Sequence, residues 1–368
     1  MTNFVMNKLV KKIMKLQDIL KNTRKQLKLT ILEVSKLSGI DQALLSKYEN
    51  GQRMPSEYHI TQLTKALQIS YSELRKAYIT EKIFDLLKYE SNALDVLQAA
   101  ESRIEYLSSN QVFAIQQVSK QVEKKLKIAD ALRLQWLSKK PLNATQLQKM
   151  KEYFALKYTF ESNRIEGNTL TLQETKLVVH EGVTIGGKTM REHLEAINHS
   201  EAIDFVSNML VGKEEISARN VLDIHRIILK SIDNENAGRY RTVQVRISGS
   251  EYIPPDALLV PQMMDDFFIH YNKQKKVLHP IILAAEMHER LVTIHPFIDG
   301  NGRTARLLMN FILLHNGYTI TNLKGDAISK QAYYKALEQV QVHNDPNPFY
   351  ELIVNQTIES LREHIKLS

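Results

Sequence analysis

Apolar residues recur three and four apart through most of the chain, the spacing of helices that each bury one face. Leu16, Ile19, Leu20 and Leu27 begin this pattern, and Leu63, Leu67, Ile69 and Leu74 continue it. Between them, Thr30 is placed to cap one short helix, Gly39 to end it and Asp41 to cap the next, which predicts a helix-turn-helix. The second of these helices, over 41–48, directs Leu44, Leu45 and Tyr48 inward and leaves Gln42, Ala43, Ser46 and Lys47 outward. Residues 81–140 are helical in pattern, with Trp136 and Leu137 as anchors and Pro141 as a break. Ile115, Val118, Val122 and Leu126 form a stripe that fits either packing on a core or a homodimer seam. A long helix is predicted over 145–166, with Met150, Phe154, Leu156 and Phe160 as core positions and Gly167-Asn168 as its stop. More helices follow over 169–235, at about 257–272 and 278–294 and from Pro348 to His364. The run Leu307 to Leu314 reads as a helix buried on most of its circumference and ended by Gly317. Only one stretch alternates: Val243, Val245 and Ile247 stand against Gln244 and Arg246, then a Ser-Gly-Ser turn leads back toward Ile253. That is the signal of a β-hairpin. The expected fold is mainly α with one small hairpin.

Charge divides the chain. Residues 1–80 carry 14 Lys and Arg against 6 Asp and Glu, a net of +8, and the remainder carries 35 of each sign. Such asymmetry predicts a nucleic-acid-binding module joined to a neutral one, and 368 residues are enough for two or three units. Lys8, Lys11 and Lys12 place part of the excess in a basic arm over 1–14. The absence of cysteine excludes disulfides, thiolate zinc sites and cysteine nucleophiles. No apolar run approaches the roughly 20 residues of a membrane span, and the N-terminus lacks the apolar core of a signal peptide. The expectation is a cytoplasmic protein without a membrane partner.

Reactive residue types converge on His295-Pro-Phe-Ile-Asp299-Gly-Asn-Gly-Arg303-Thr-Ala-Arg306. Gly300 and Gly302 bracket Asn301 in a tight turn that feeds a helix. Outward N–H groups backed by the helix dipole form an anion site there. Arg303 and Arg306, three apart, are placed to meet a di- or triphosphate with both guanidinium forks. Asp299 offers a hard oxygen suited to Mg²⁺ shared with phosphates. His295 is a candidate base for an attacking hydroxyl. His193, His199 and His225 lack the H-E-x-x-H pattern, and no metal role is assigned to them.

The run 295–306 resembles the Fic family signature, His-x-Phe-x-(Asp/Glu)-Gly-Asn-Gly-Arg-x-x-Arg, at every specified position. The resemblance covers about residues 142–350. It implies a helical enzyme that moves AMP from ATP, with Mg²⁺, to a Ser, Thr or Tyr hydroxyl of a target protein or of itself. It implies His295 as the catalytic base, Asp299 as the metal ligand and Gly300, Asn301, Gly302, Arg303 and Arg306 as the phosphate site. Ser162-Asn-Arg-Ile-Glu166-Gly167 resembles the family's inhibitory motif, which implies that Glu166 pairs with Arg306 where the γ-phosphate would lie. The stretch 241–254 resembles the family's flap, a hairpin that holds a target segment by strand pairing, with Ile247, Ser248 and Gly249 near the nucleotide. Tyr333 and Tyr334 resemble the tyrosine pair beside the adenine. Gln341 stands where the family often has Asn.

Residues 15–80, with Glu49-Asn-Gly51 after the second short helix and Pro55-Ser56 before the fourth, resemble the Xre/Cro-type five-helix domain. The resemblance implies that helix 41–48 enters the major groove of double-stranded DNA. There Gln42 would face an adenine edge and Lys47 a guanine or a phosphate, with Ala43 and Ser46 alongside. The expected order is an arm over 1–14, a DNA-binding domain over 15–80, a connector over 81–141 and a catalytic domain over 142–368. Two alternatives stay open: a DNA-binding regulator that uses the nucleotide pocket as a sensor, and a related enzyme with another donor or an AMP-removing activity.

Overall fold

The computed structural model describes residues 15–109, 118–139, 143–247 and 249–368. The basic arm, Ile115, Pro141 and Ser248 lie outside the described residues. The chain divides into two units, 1–100 and 101–368.

In the first unit, α1 (Leu16–Gln26), α2 (Ile31–Ser38), α3 (Gln42–Glu49), α4 (Glu57–Ala66) and α5 (Tyr71–Leu87) surround one small core. Leu16, Leu20, Val34, Leu45, Ile60, Leu63, Leu67 and Leu74 fill it. The helix ends follow the capping chemistry of the sequence. Thr30 and Glu33 form a reciprocal capping box at α2, Gly39 closes that helix at φ 70°, and Asp41 accepts from the Leu44 N–H at α3. Arg24 of α1 clamps the buried Glu49 at the end of α3 through two hydrogen bonds of 2.6 and 2.7 Å. Next, α6 (Ala93–Ser109) crosses the division between the units.

The second unit holds α7 (Lys120–Ser138), α8 (Ala144–Ile165), α9 (Leu172–Glu181), α10 (Met190–Val211) and α11 (Ala218–Leu229). A short 3-10 turn, α12 (Val260–Gln274), α13 (Pro280–Ile294), α14 (Asn301–His315), α15 (Ala327–His343) and α16 (Asn347–Leu367) complete it. At its centre, α13 and α14 lie against each other. α10 and α11 cover α14, while α12, α15 and α16 cover α13. The run predicted as buried on most sides is so: Leu307, Leu308, Met309, Phe311, Ile312 and Leu313 all lie in the core. On α7, Val122 and Leu126 are buried with Val118 packed beside them. Ser119 and Lys125 bond to Asn347 and Glu351 of α16. The described part of that apolar stripe, Val118, Val122 and Leu126, is therefore packed inside the unit.

One expected element differs. Among the described residues none forms a β-strand, so the hairpin expected over 241–254 has no ladder there. The physical reason lies in its returning arm, where Pro254 and Pro255 have no N–H to donate. Side chains take the carbonyls instead: the Gln244 amide donates to the Pro254 carbonyl at 2.8 Å, and Arg241 donates to those of Val243 and Pro255 at 3.0 and 2.6 Å. Tyr252 anchors the segment through its hydroxyl, which donates to the Thr293 carbonyl at 3.1 Å.

A candidate active site at the start of a buried helix

α13 ends at Ile294 because Pro296 disfavours a helical conformation for the residue before it. His295 instead takes the left-handed conformation, φ 49° and ψ 58°. Its Nδ1 lies 3.2 Å from the Val292 carbonyl, which can only accept. The ring hydrogen therefore sits on Nδ1, and Nε2 keeps its lone pair in the neutral ring. Burial holds the His295 pKa low and the Arg241 cation depresses it further, while the Val292 carbonyl and the carboxylates of Glu166 and Asp299 pull upward.

The turn from Pro296 to Gly300 is braced from below. Phe297 is fully buried and stacked on His225, with ring centroids 3.6 Å apart. His225 accepts from the Gly238 N–H at Nδ1 and donates from Nε2 to the Asp299 carbonyl, each at 2.9 Å. Gly300, at φ 76°, passes so close that a Cβ there would meet the His225 ring at 3.3 Å. Asn301 accepts from the Phe297 N–H at 3.0 Å and donates to the Phe297 carbonyl at 2.9 Å, so its side chain holds the turn. His193 and His199 are likewise engaged, with Ile185 and Thr189 and with Thr159.

α14 starts at Asn301, and a carboxylate stands over its N-terminal end. Glu166, the residue just past α8, accepts from Arg306 Nη2 at 2.7 Å. The same guanidinium donates to the Ser162 hydroxyl at 3.0 Å and to the Ser162 carbonyl at 2.9 Å. A Cβ at Gly302 would lie 2.4 Å from Glu166 Oε1, so the missing side chain is what admits the carboxylate. The pair is held through one carboxylate oxygen. Burial works against the Arg306 charge, but Glu166, Tyr333 and Tyr158 together outweigh it and the guanidinium pKa is raised. Arg306 and Arg303 do not share one target. Arg303 turns to Asp299 and Glu195, each 3.3 Å away. Asp299 also accepts from the Gly300 N–H at 2.6 Å and from the half-exposed Arg191 of α10. Burial would raise the Asp299 carboxyl, but these cations and the N–H hold it below its usual range.

A cavity of about 890 Å³ opens beside this helix start. It brings together Glu166, Ile247, Gly249, His295, Gly302, Tyr333, Tyr334 and Gln341, residues spread over more than half of the second unit's length. Tyr333 is buried with its hydroxyl 3.2 Å from His288 Nε2, whereas Tyr334 is exposed and donates to the Ile165 carbonyl at 3.3 Å. Gln341 donates to the Thr293 hydroxyl at 3.3 Å. Asp299, Gly300, Asn301, Arg303, Arg306 and Ser162 lie behind or beside this cavity and do not line it. Periodicity had no signal for four residues: Arg191, Glu195, His225 and Arg241. In the first unit, Gln42, Ala43 and Lys47 are exposed along α3 and Ser46 is half-buried, while Leu45 and Tyr48 face the core.

Two family models match the chain, the Fic/DOC family over residues 215–313 and a helix-turn-helix over residues 20–74. A protein adenylyltransferase Fic from Nematostella vectensis is 37% identical over 210 residues, which are 56% of this chain and 48% of that one. Protein adenylyltransferase fic-1 from Caenorhabditis elegans is 34% identical over 226 residues, 61% of this chain and 44% of that one. The chain thus matches about half the length of these relatives. A solved Fic-domain signalling protein from Bacteroides thetaiotaomicron superposes with a TM-score of 0.61 at 30% identity, over 65% of this chain and 96% of that one. The solved Fic-1 of C. elegans gives 0.59 at 27% identity, over 95% and 97%. With the helix start, its eight signature residues and these relatives together, the chain belongs to the Fic/DOC family.

Proposed function

We propose that the second unit transfers AMP from ATP to a Ser, Thr or Tyr hydroxyl of a protein, and that Glu166 restrains the transfer. The observation that carries this reading is the Glu166 carboxylate over the N-terminal end of α14, ion-paired to Arg306 at 2.7 Å and fitted to the space at Gly302. A carboxylate there stands where the helix start and its arginine would otherwise receive a phosphate. The relatives named protein adenylyltransferase supply the donor class.

In this reading His295 Nε2, at the cavity wall, takes the proton of the target hydroxyl. The hydroxyl oxygen bonds to the α-phosphorus, and the bond from that phosphorus to the bridging oxygen breaks, releasing diphosphate. The α14 N–H groups and Arg303 stabilise the charge that develops on the phosphates. Arg303 Nε and Arg306 Nη1 are buried without a hydrogen-bond acceptor, which fits an anionic ligand at this position. Asp299 would hold Mg²⁺. One carboxylate with a partly exposed oxygen suits an ion that keeps its waters and arrives with phosphates. When bound, that ion would neutralise diphosphate charge. Arg191, which holds the outer oxygen of Asp299, would have to yield it. The segment 241–254 presents backbone groups that a target strand pairs with.

The test incubates wild type, Glu166→Gly and Glu166→Gly/His295→Ala with Mg²⁺ and α-labelled ATP, alone and in lysate, followed by intact-mass spectrometry. Loss of one charge-assisted hydrogen bond is expected to raise labelling about 10- to 100-fold in Glu166→Gly. The double variant should carry no label. Equal labelling in wild type and Glu166→Gly would overturn the restraint, and no label in any sample would overturn AMP transfer.

The first unit supports a second activity. Its net charge of +8 over residues 1–80, its helix-turn-helix match and the exposed Gln42 and Lys47 favour binding to double-stranded DNA.

A further inference from the structure

Arg241 is 2% exposed, and the groups its guanidinium bonds are main-chain carbonyls. Its Nε donates to the His295 carbonyl at 2.8 Å, Nη1 to Val243 at 3.0 Å and Nη2 to Pro255 at 2.6 Å. Its own N–H donates to the Pro296 carbonyl at 2.8 Å. Burial lowers its pKa, and Asp256 and Tyr252 offset this only through space. Taking a guanidinium out of water is costly, and a neutral side chain would fill the same space at lower cost. What a neutral side chain cannot do is hold three carbonyls of three separate segments in one plane, as a guanidinium fork does.

The three segments are the outgoing arm of 242–254, its returning end and the turn that carries His295. The first two have no strand ladder between them, so this fork closes the base of the loop. The third contains a residue with a Cβ in the left-handed region, a strained conformation that needs surrounding contacts to persist. The direction of the His295 carbonyl follows from that conformation, and Arg241 holds it together with the next carbonyl along, that of Pro296.

We propose that Arg241 is a positioning residue that couples the target-holding segment 242–254 to His295. A hydroxyl presented on that segment and the imidazole that takes its proton then move as one body. The proposal rests on the reading of this cavity as a transfer site.

Arg241→Lys and Arg241→Gln separate the two properties of the side chain. Lysine keeps a cation but not the fork, and glutamine loses both. In the full-length chain, the His295 ring resonance is identified by its absence from His295→Ala, and its titration is followed by NMR. Glu166 and Asp299 pull its midpoint up while burial and Arg241 depress it. The midpoint should therefore rise in Arg241→Gln and stay low in Arg241→Lys. In the Glu166→Gly background, initial labelling rates per folded molecule should fall about 10- to 100-fold in both variants with KM for ATP unchanged. That is the pattern of a misplaced reacting group. A lowered melting temperature with an unmoved His295 midpoint and an unchanged rate per folded molecule would overturn the proposal and leave Arg241 a packing residue. If Glu166→Gly itself fails to label, the transfer reading falls, and the His295 midpoints still decide whether Arg241 governs this ring.

Discussion

Gly302 and Gly300 flank Asn301 and are glycines for different reasons. At Gly300 the backbone is left-handed and packed on His225, so a side chain there is excluded by conformation and by space. Gly302 has ordinary helical backbone, and what a Cβ would meet is the Glu166 carboxylate at 2.4 Å and Arg306 Nη1 at 3.0 Å. The space is reserved for an anion. Gly302→Ala is therefore expected to displace Glu166 without freeing the site, because the added methyl occupies the position a phosphate needs. Affinity for a fluorescent ATP analogue should fall about tenfold, the cost of roughly one hydrogen bond to a charged group. Glu166→Gly, by contrast, leaves the space open. An equal or tighter affinity in Gly302→Ala would show that the phosphates do not approach this helix start. The signature made His295, Asp299, Arg303 and Arg306 legible as a group. Their division of labour was not legible, because partners outside the signature decide it: Arg306 turns to Ser162, 144 residues away, and Arg303 turns to Glu195 as well as to Asp299.

α13 owes its place in the core to a face that is apolar on nearly every side, and it carries two titratable groups into that core. Burial, with Arg306 adding to it, pushes the His288 pKa down to about 3. Burial pushes Glu289 up to about 8, with Glu286 adding to it and Arg290 opposing. Both groups are therefore neutral at pH 7, and they act on stability in opposite directions. An unfolded histidine near 6.5 takes its proton first, so the His288 contribution is lost as pH falls below about 6.5. His225, pushed by burial to about 4, adds to the same loss. An unfolded glutamate near 4.5 gives up its proton first, so the Glu289 contribution is lost as pH rises from about 4.5 through 8. Urea unfolding of Glu289→Gln should lose that alkaline decline and gain at least about 1 kcal/mol over wild type at pH 8. An unchanged alkaline limb would mean that Glu289 is already ionised in the folded chain. Helix positions and caps were readable because a helix repeats every few residues and its ends need specific polar groups. The alternation over 243–247 was also real, but alternation reports which way side chains point. A ladder also needs N–H groups on the returning arm, and Pro254 and Pro255 have none to give.

Across the whole chain the excess positive charge is confined to one end. Residues 1–80 hold a net of +8 and the remainder holds none. Salt should therefore weaken duplex DNA binding while leaving labelling by the second unit nearly unaffected. Lys47→Ala, at an exposed position of α3, is expected to reduce the slope of log affinity against log salt by about 1. Fluorescence anisotropy on a labelled duplex measures it, and an unchanged slope would remove Lys47 from the phosphate contacts. Much of this level was in the sequence: the helical class, the two modules and the signature of the second all follow from properties of neighbouring residues, namely spacing, capping and local charge. The tertiary structure decided which distant groups meet. It set Glu166 over Gly302, His225 beneath Phe297 and Arg241 against the carbonyls of His295 and Pro296. Each of these depends on a pairing between segments that lie far apart in the chain, and no local pattern encodes the direction in which a folded backbone brings such segments together.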